Sequence, residues 1–275
     1  MKRILVPTDF SEYAQKACVL AVDIASKTGA EITLVHSVFT RLDWASMTLT
    51  QRQEYPETLG QTTEAEIKLD RLKKSKLFGG IKVNSMVVHG APYDQITRTA
   101  AKYKADLIVM GSHGVNESNE FFIGSNIQKT MRQSSCPIIT VKKEYKGTKW
   151  KKLVFASNFE ENIKKEFEQI LMLAKLMGAS INLLFVNTPG NFKSTTESME
   201  IMDKFSANFK GVKMTKSIFN HKELHKGIIQ HCESVKADWM ALVAHDRRRA
   251  PQYLIGITET LVYHASIPVL SVNQK

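Results

Sequence analysis

Several features that mark membrane and exported proteins are missing from this 275-residue sequence. No apolar stretch approaches the roughly 20 residues that a membrane-spanning helix needs. The opening MKRILVPTDF has an acidic residue where a signal peptide has its apolar region, so export is not expected. Cysteine is rare, an odd three scattered through apolar segments: Cys18, Cys136 and Cys232. This usage predicts reduced core thiols in a cytoplasmic protein.

A concentrated basic motif is also lacking, although the formal net charge is +11. Such a charge raises the hypothesis of nucleic-acid binding. The lysines and arginines, however, are spread over both halves and mixed with acids, and only 142–152 and 246–250 are locally dense. No aromatic-and-basic motif of a nucleic-acid module occurs. The pattern favours a solvated basic surface that attracts anionic ligands or partners, without specific nucleic-acid binding.

The common catalytic and phosphate-binding motifs are absent as well. Neither G-x-x-x-x-G-K-[ST] nor G-x-G-x-x-G is present. There is no nucleophile elbow and no paired-carboxylate motif, so no catalytic residue is assigned. The sequence therefore predicts a binding or regulatory protein before it predicts an efficient enzyme.

What the sequence does contain is an internal repeat. Three pairs of segments match: 2–38 with 151–188, 89–114 with 221–246, and 136–143 with 267–274. In the first pair, a strand leads into an amphipathic helix that stops at Gly29 or Gly178, and a second strand follows. The spacing between matched positions falls from 149 to 132, so the first half has about 17 extra residues, which we place within 40–61.

The order of elements in each half predicts an α/β fold. Each half reads strand, helix, strand, helix, strand, helix, strand, loop, helix, strand. The middle elements are expected as helices near 57–78 and 194–209 and third strands near 81–88 and 212–219. Alternating strands and helices imply right-handed crossovers and a mainly parallel five-stranded sheet between helices.

Two α/β domains are therefore predicted, at 1–144 and 150–275, joined by the polar linker KKEYKGTKW. The last strands, PIITVKK and PVLSVNQ, are near-copies that would each lie at an open sheet edge. Pairing of these strands across a pseudo-twofold axis would make the single chain its own dimer.

A loop rich in glycine follows the fourth strand of the first half, with the pattern G-x2-G-x9-G-S at Gly111, Gly114, Gly124 and Ser125. In open α/β sheets, ligands bind outside the carboxyl ends of the strands, where the topology switches direction. A helix expected from Gly124-Ser125 to Ser135 would present free N–H groups and favour negative charge. These features predict a phosphate site. Two alternatives stay open: plain turn glycines and helix caps at Ser125 and Asp9.

Together with ILVPTDFSE near the N-terminus and the repeat, this glycine pattern resembles that of a tandem universal stress protein over nearly all 275 residues. The resemblance implies two Rossmann-like domains of the adenine nucleotide alpha hydrolase-like type, arranged as a pseudo-twofold pair. It implies a role in the stress response. It also implies that the ligand is ATP, with Mg²⁺ as a companion ion. At most slow ATP hydrolysis is expected.

The resemblance also implies roles for individual residues. The phosphates would be held by Gly111, Gly114, Gly124, Ser125 and Asn126. Asp9 would accept hydrogen bonds at the adenine or ribose end, because a carboxylate beside the triphosphate would repel it. Pro7 and Thr8 would wall the base pocket with Met110 below, and His113 would donate to a phosphate. Ser37 stands where the family more often has an apolar residue, so its role is open.

The second half lacks most of these residues. The changes are Asp9 to Asn158, Pro7 to Ala156, Gly111 to Val243, Gly114 to Asp246 and Ser125 to Ile257, while Gly256 matches Gly124. We predict that the second half does not bind ATP in the family's manner. Residues 247–249 are three arginines, which form either a solvated loop or an altered anion or partner site.

A group of histidines and a cysteine in the second half suggests zinc at first sight. On one helix, however, Cys232 would lie about 10 Å beyond His225. The repeat sets His221 opposite His89 at a strand end and places Cys232 on a buried face, so no metal site is expected. A second hypothesis for the whole chain is a nucleotide-independent interaction module, in which segment 40–62 or the arginine loop meets a protein or a small anionic ligand.

Overall fold

A computed structural model describes residues 1–112, 125–147, 149–159, 163–244 and 256–274. In these ranges, no helix combines the length and apolar character needed to cross a membrane.

The order of elements is the predicted one in both halves. The first half contains β1 (Arg3–Pro7), α1 (Glu12–Thr28), β2 (Glu31–Val38), α2 (Leu49–Gln53), α3 (Pro56–Lys73), a 3-10 turn (Lys76–Phe78), β3 (Val83–His89), α4 (Pro92–Lys102), β4 (Leu107–Gly111), α5 (Ser125–Gln133) and β5 (Ile138–Val141). The second half contains β6 (Lys152–Ala156), α6 (Lys164–Met177), β7 (Ser180–Asn187), α7 (Thr195–Ser206), β8 (Met214–Asn220), α8 (Leu224–Ser234), β9 (Trp239–Ala244), α9 (Ile257–His264) and β10 (Val269–Asn273). The short helix α2 was not predicted, and the expected helix 57–78 divides into α3 and the 3-10 turn.

All ten strands join one sheet in the order β3-β2-β1-β4-β5-β10-β9-β6-β7-β8. Neighbouring strands within each half are parallel, whereas β5 and β10 are antiparallel. The second half repeats the strand order of the first in mirror sequence. The predicted fold class is therefore confirmed: two mainly parallel five-stranded α/β units related by a pseudo-twofold axis.

The pseudo-twofold axis passes beside Ile139 and Leu270, which are directly opposite each other in the antiparallel pair. These two residues hold matched positions, because their neighbours Ile138 and Val269 lie opposite the matched residues Ile108 and Met240. The two halves therefore meet through equivalent strands, β5 and β10. Because these strands are antiparallel, the carboxyl ends of the parallel strands in the two halves point in opposite directions.

Strand register corrects one detail of the predicted alignment. Val38 lies opposite His89, and the matched Asn187 lies opposite Asn220. His89 therefore corresponds to Asn220, and the gap-free alignment with His221 was wrong at this point. The reason is the loop after the strand: α4 begins three residues after His89, whereas α8 begins four residues after Asn220.

Local chemistry explains where the first helix of each half begins or ends. The Ser11 side chain accepts a hydrogen bond from the Ala14 N–H and caps α1. The predicted stops are confirmed, because Gly29 and Gly178 adopt φ of 70° and 66° in the left-handed region that favours glycine. Both caps position the strand that follows, so the glycines fix the entry to β2 and β7.

Apolar residues cover both faces of the sheet. Alternate residues of β1 face opposite sides, since Ile4 and Val6 join one core cluster and Leu5 joins the other. None of the three cysteines forms a disulfide bond, and all three are buried. Burial raises the pKa of the Cys18 and Cys232 thiols to about 12, which keeps both protonated and unreactive.

Candidate functional site

The candidate site lies where the topology of the first half switches direction. β1 lies between β2 and β4, and Leu5 of β1 is paired with Ile108 of β4. The chain leaves β1 towards β2 on one side and later returns to β4 on the other. The ends of β1 and β4 thus bring Pro7, Thr8, Asp9 and Gly111 to the edge at which open α/β sheets bind ligands.

The turn after β1 is held by its own side chains. The Thr8 hydroxyl accepts from the Phe10 N–H at 3.0 Å, and Asp9 Oδ1 accepts from the Ser11 N–H at 3.0 Å. The helix cap is Ser11, so the alternative in which Asp9 caps α1 is wrong. Asp9 instead shapes the turn before the cap, and its side chain is exposed. Among the described residues, no hydrogen bond reaches its other carboxylate oxygen.

This turn contains an unusual backbone conformation in both halves. Phe10 has φ 66° and the matched Phe159 has φ 62°, values that a bulky side chain rarely adopts. In the second half the Ser157 hydroxyl accepts from the Phe159 N–H at 2.9 Å, as Thr8 does for Phe10. Since the strained turn persists where the proposed ligand residues have changed, it belongs to the fold.

His36, which the sequence analysis did not select, is part of this edge. Its Nδ1 donates to the Thr8 carbonyl oxygen at 2.7 Å, and its ring stacks on Phe10 with centroids 4.8 Å apart. The hydrogen bond fixes Nδ1 as the protonated nitrogen when the ring is neutral, so Nε2 is left as an acceptor. The signal in sequence was a histidine near the carboxyl end of β2, next to Ser37.

Ser37 has a structural partner. Its hydroxyl donates to the Gly90 carbonyl oxygen at 3.0 Å and ties the end of β2 to the loop after β3. The role of Ser37, which the sequence left open, therefore includes anchoring the loop after β3.

Gly111 is required by packing within the protein. A Cβ at this position would lie 2.2 Å from the backbone oxygen of Tyr13 in α1, closer than any real contact. The absence of a side chain therefore lets α1 approach β4. This close approach explains Gly111 without a ligand and leaves its phosphate contact as a prediction.

Only part of the glycine loop is described. Met110 is buried in the core beneath the site, with 5% of its surface exposed. α5 begins at Ser125, so its first N–H groups point towards the end of the loop, and Asn126 is exposed in the first turn. His113, Gly114 and Gly124 lie outside the described residues, as do Asp246 and the arginines at 247–249 of the second half.

The extra residues of the first half build a cap beside the site. We call residues 39–55 the cap segment. Trp44 is buried, and its ring stacks on that of His89 with centroids 5.3 Å apart. The Arg52 guanidinium lies over the same Trp44 ring, 5.5 Å from its centroid. Arg52 also donates to the Trp44 carbonyl oxygen at 2.9 Å. This stack fixes the cap segment over the end of β3.

His89 is held in its neutral form within this stack. The Thr62 hydroxyl, which donates to the Thr58 carbonyl oxygen at 2.7 Å, lies 2.9 Å from His89 Nε2. Since Thr62 has one hydrogen and has donated it, His89 Nε2 is the donor in this pair. Burial, followed by the nearby charge of Arg52, lowers the pKa of His89.

The second half closes the same edge differently. Asn187, at the end of β7, binds both the N–H and the carbonyl oxygen of Lys193 at 3.0 and 3.1 Å. One buried amide therefore holds the short loop that replaces the cap segment. The two edges present different surfaces although their strands match.

The histidine group of the second half is dispersed. His231 Nε2 is 2.8 Å from Asn182 Oδ1, and Cys232 belongs to the core. His225 stacks on His264 at 5.6 Å. Within the described ranges, no set of three or more His, Cys, Asp or Glu side chains is arranged to hold a metal ion.

Two parallel α/β units joined through β5 and β10 define a Rossmann-like tandem fold. Residues 1–142 match the model of the universal stress protein family. The chain belongs to that family.

Relatives support the same assignment over about half of the chain. A universal stress protein of Methanocaldococcus jannaschii is 30% identical over 155 residues, which are 52% of this chain and 96% of that protein. One from Thermus aquaticus is 30% identical over 149 residues, covering 51% and 98%. The solved structure of a universal stress protein from Archaeoglobus fulgidus covers 99% of this chain and 98% of its own, with a TM-score of 0.77 at 18% identity. That likeness shows the same fold over both halves of the chain.

Proposed function

We propose that the first half binds ATP at the carboxyl ends of β1 and β4 and that the protein acts by this binding, as a regulator in the stress response. The observation that carries the proposal is the exposed Asp9 carboxylate at the switch point, of which the turn uses one oxygen. Asp9 would receive the adenine or ribose end. The phosphates would lie at the start of α5, where Ser125 and Asn126 begin the helix.

The remaining predicted residues complete this pocket. Pro7 and Thr8 form the wall on the β1 side, and His113, Gly114 and Gly124 belong to the loop that would close over the phosphates. His36 adds an acceptor nitrogen beside Thr8. Mg²⁺ is proposed as a companion of the triphosphate, which would reduce its charge near Asp9.

The second half is proposed to have lost this site. Asn158 replaces the carboxylate of Asp9, and Val243 replaces Gly111. We further propose domain limits of 1–144 and 150–275 and a stable intramolecular pair formed through β5 and β10, whose antiparallel register supports it. A cytoplasmic location is part of the same proposal, because none of the three cysteines forms a disulfide bond.

A second candidate function is a nucleotide-independent interaction module. It is favoured by the cap segment, where Phe39 is 62% exposed and Leu49 is 77% exposed. These two side chains on an inserted segment offer apolar contact area to a partner. In this case the partner is a protein and the glycine loop is only a turn.

Calorimetric titration of ATP into protein stripped of nucleotide, with and without Mg²⁺, tests the proposal. We expect one site per chain. Asp9→Asn, which installs the residue of the second half, should weaken affinity at least about tenfold, since a hydrogen bond to a charged group is worth about 1.5–3 kcal/mol.

Asn158→Asp is the matched control and should leave both affinity and stoichiometry unchanged. Two sites in the parent protein would show that the second half is competent. Absence of binding in the parent would reject the nucleotide proposal and favour the interaction module.

A further inference from the structure

A cavity of about 410 Å³ lies between the two halves, far along the strands from the candidate ATP edge. We call it the inter-half cavity. Its first-half wall is formed by the end of α4 and the amino ends of β4 and β5, including Ala101, Leu107 and Cys136. Its second-half wall is α6, through Met172 and Leu173. A molecule bound there would contact both halves at once.

The lining combines small and apolar side chains with the polar side chains of Lys104, Ser135 and Gln169. Three alanines, at 100, 101 and 105, leave space, and Leu107 and Leu270 close the floor. The Asp106 carboxylate in the wall is already used, since it accepts from the N–H groups of Lys2 and Arg3 at 2.5 and 2.9 Å. The cavity therefore offers apolar surface together with a few polar groups, which suits a largely apolar molecule that carries a polar atom.

Pseudo-symmetry shows what fills the equivalent place on the other side of the axis. Leu107, which lies opposite Ile4, is matched by Trp239, which lies opposite Leu153. Met1, two residues before Arg3, is matched by Trp150, two residues before Lys152. The two indole rings pack edge to face at 5.2 Å, and both are completely buried.

Two other lining positions also differ between the halves. Cys136 of the cavity is matched by the larger Ile267, and Met172 of α6 is matched by Asp23 of α1. Asp23 accepts a hydrogen bond from the Tyr145 hydroxyl at 2.7 Å. Tyr145 and Trp150 both belong to the linker, so the chain itself places aromatic side chains in the groove beside α1. Beside α6 the matched groove is the cavity.

The two indole rings are held in the groove beside α1 by packing contacts. The indole nitrogens of Trp150 and Trp239 are buried without hydrogen-bond partners in the described structure. An unpaired buried N–H costs about 1–3 kcal/mol, so ring contacts must outweigh that cost. A groove that holds aromatic rings despite this cost has a shape that suits flat apolar rings.

We propose that the inter-half cavity is a binding site for a free, planar aromatic molecule of about the size of indole. An apolar cavity of roughly 150 Å³ is enough for benzene, so the volume suffices. Because the ligand contacts Leu107 of one half and Leu173 of the other, its binding stabilises the paired arrangement. The site goes beyond the proposed ATP function and does not depend on it.

Indole is the probe, titrated into the full chain carrying 13C-methyl methionine. We expect saturable binding with shifts of the Met172 and Met1 methyl signals and none at Met199, which is exposed on α7. Leu107→Trp, which installs the residue of the second half, should abolish binding. Ala101→Leu, on the exposed side of α4, narrows the entrance without disturbing the core and should weaken affinity about tenfold.

Ala207→Leu is the matched control, because it makes the same change at an exposed helix end outside the cavity. If Leu107→Trp does not fold, Ala101→Leu and the methyl shifts decide. Absence of saturable binding in the parent, or equal affinity in the parent and Ala101→Leu, would overturn the proposal.

Discussion

Lys142 Nζ lies 2.9 Å from the carbonyl oxygen of Tyr263, so a buried lysine at the end of β5 donates to the last turn of α9 in the opposite half. The matched residue at the end of β10 is Asn273. Its amide donates to Ser134 and Met131 carbonyl oxygens at the end of α5. Each half thus satisfies helix-terminal carbonyl groups of the other. Since α5 begins at the candidate ATP edge, the second half helps to position that site.

Because Lys142 is buried, the stability of the protein should depend on pH in the alkaline range. Burial lowers its pKa to about 8, with Glu144 opposing the shift, from an ordinary value of about 10.4. The unfolded state therefore binds more protons between these two values, and stability rises as pH increases through this window. We expect the unfolding free energy of the parent, minus that of Lys142→Met, to increase from pH 7.5 to pH 10.

Urea unfolding of both proteins at several pH values measures this difference, in which other titrating groups cancel. A difference that stays flat or falls with pH would contradict the burial of the lysine against α9.

A second contact between the halves is the ion pair of Arg132 and Glu259. The atoms are 3.1 Å apart and the side chains are only 12% and 5% exposed. Removing one partner leaves a buried charge, which typically costs about 3–5 kcal/mol, whereas an apolar pair can be neutral or better. We expect Glu259→Met and Arg132→Met each to destabilise strongly and the double variant to recover most of the loss.

A double-mutant cycle from denaturant unfolding gives the coupling energy. Additive losses, with the double variant as unstable as the sum of the single changes, would show that the pair does not interact as described.

Gly111→Ala should damage the fold whether or not ATP binds. The added Cβ would meet the Tyr13 backbone at 2.2 Å, so we expect a loss of at least about 2 kcal/mol from forced movement of α1. Gly60→Ala in α3 is the control, since no atom lies within 4 Å of its added Cβ. That control should gain about 0.5–1 kcal/mol. Thermal unfolding without nucleotide separates the two, and a harmless Gly111→Ala would show that α1 does not pack so closely.

Much of the fold could be predicted because the sequence states it twice. The repeat revealed ten strands, and Gly29 and Gly178 marked the helix ends by a local requirement for left-handed backbone. The ends of the strands were harder to predict. The repeat aligned His89 with His221, one residue away from its true match, because the loops after β3 and β8 differ in length and only the strand register reveals this.

The candidate site was less accessible to sequence reasoning. Asp9 and Gly111 were selected for a ligand, but their contacts with Ser11 and Tyr13 depend on how α1 packs. Lys142 and Asn273 differ in length and charge, so the repeat hid the fact that both donate to helix-terminal carbonyl groups. His36 was overlooked because its partner is a backbone carbonyl oxygen, which no sequence motif records.

The cap segment should make the protein sensitive to mild acid through His89. Burial and Arg52 lower the pKa of this histidine, so the folded state resists protonation more than the unfolded chain does. Stability is therefore fully present above the unfolded value of about 6.5 and is lost as pH falls towards the lower folded pKa. We expect His89→Gln to lose less stability than the parent between pH 7.5 and pH 5. Arg52→Gln should reduce the parent's loss only in part, because burial is the larger cause. NMR titration of the His89 ring, with a pKa at or above the ordinary value, would contradict the stack of Arg52, Trp44 and His89 as the origin of the effect.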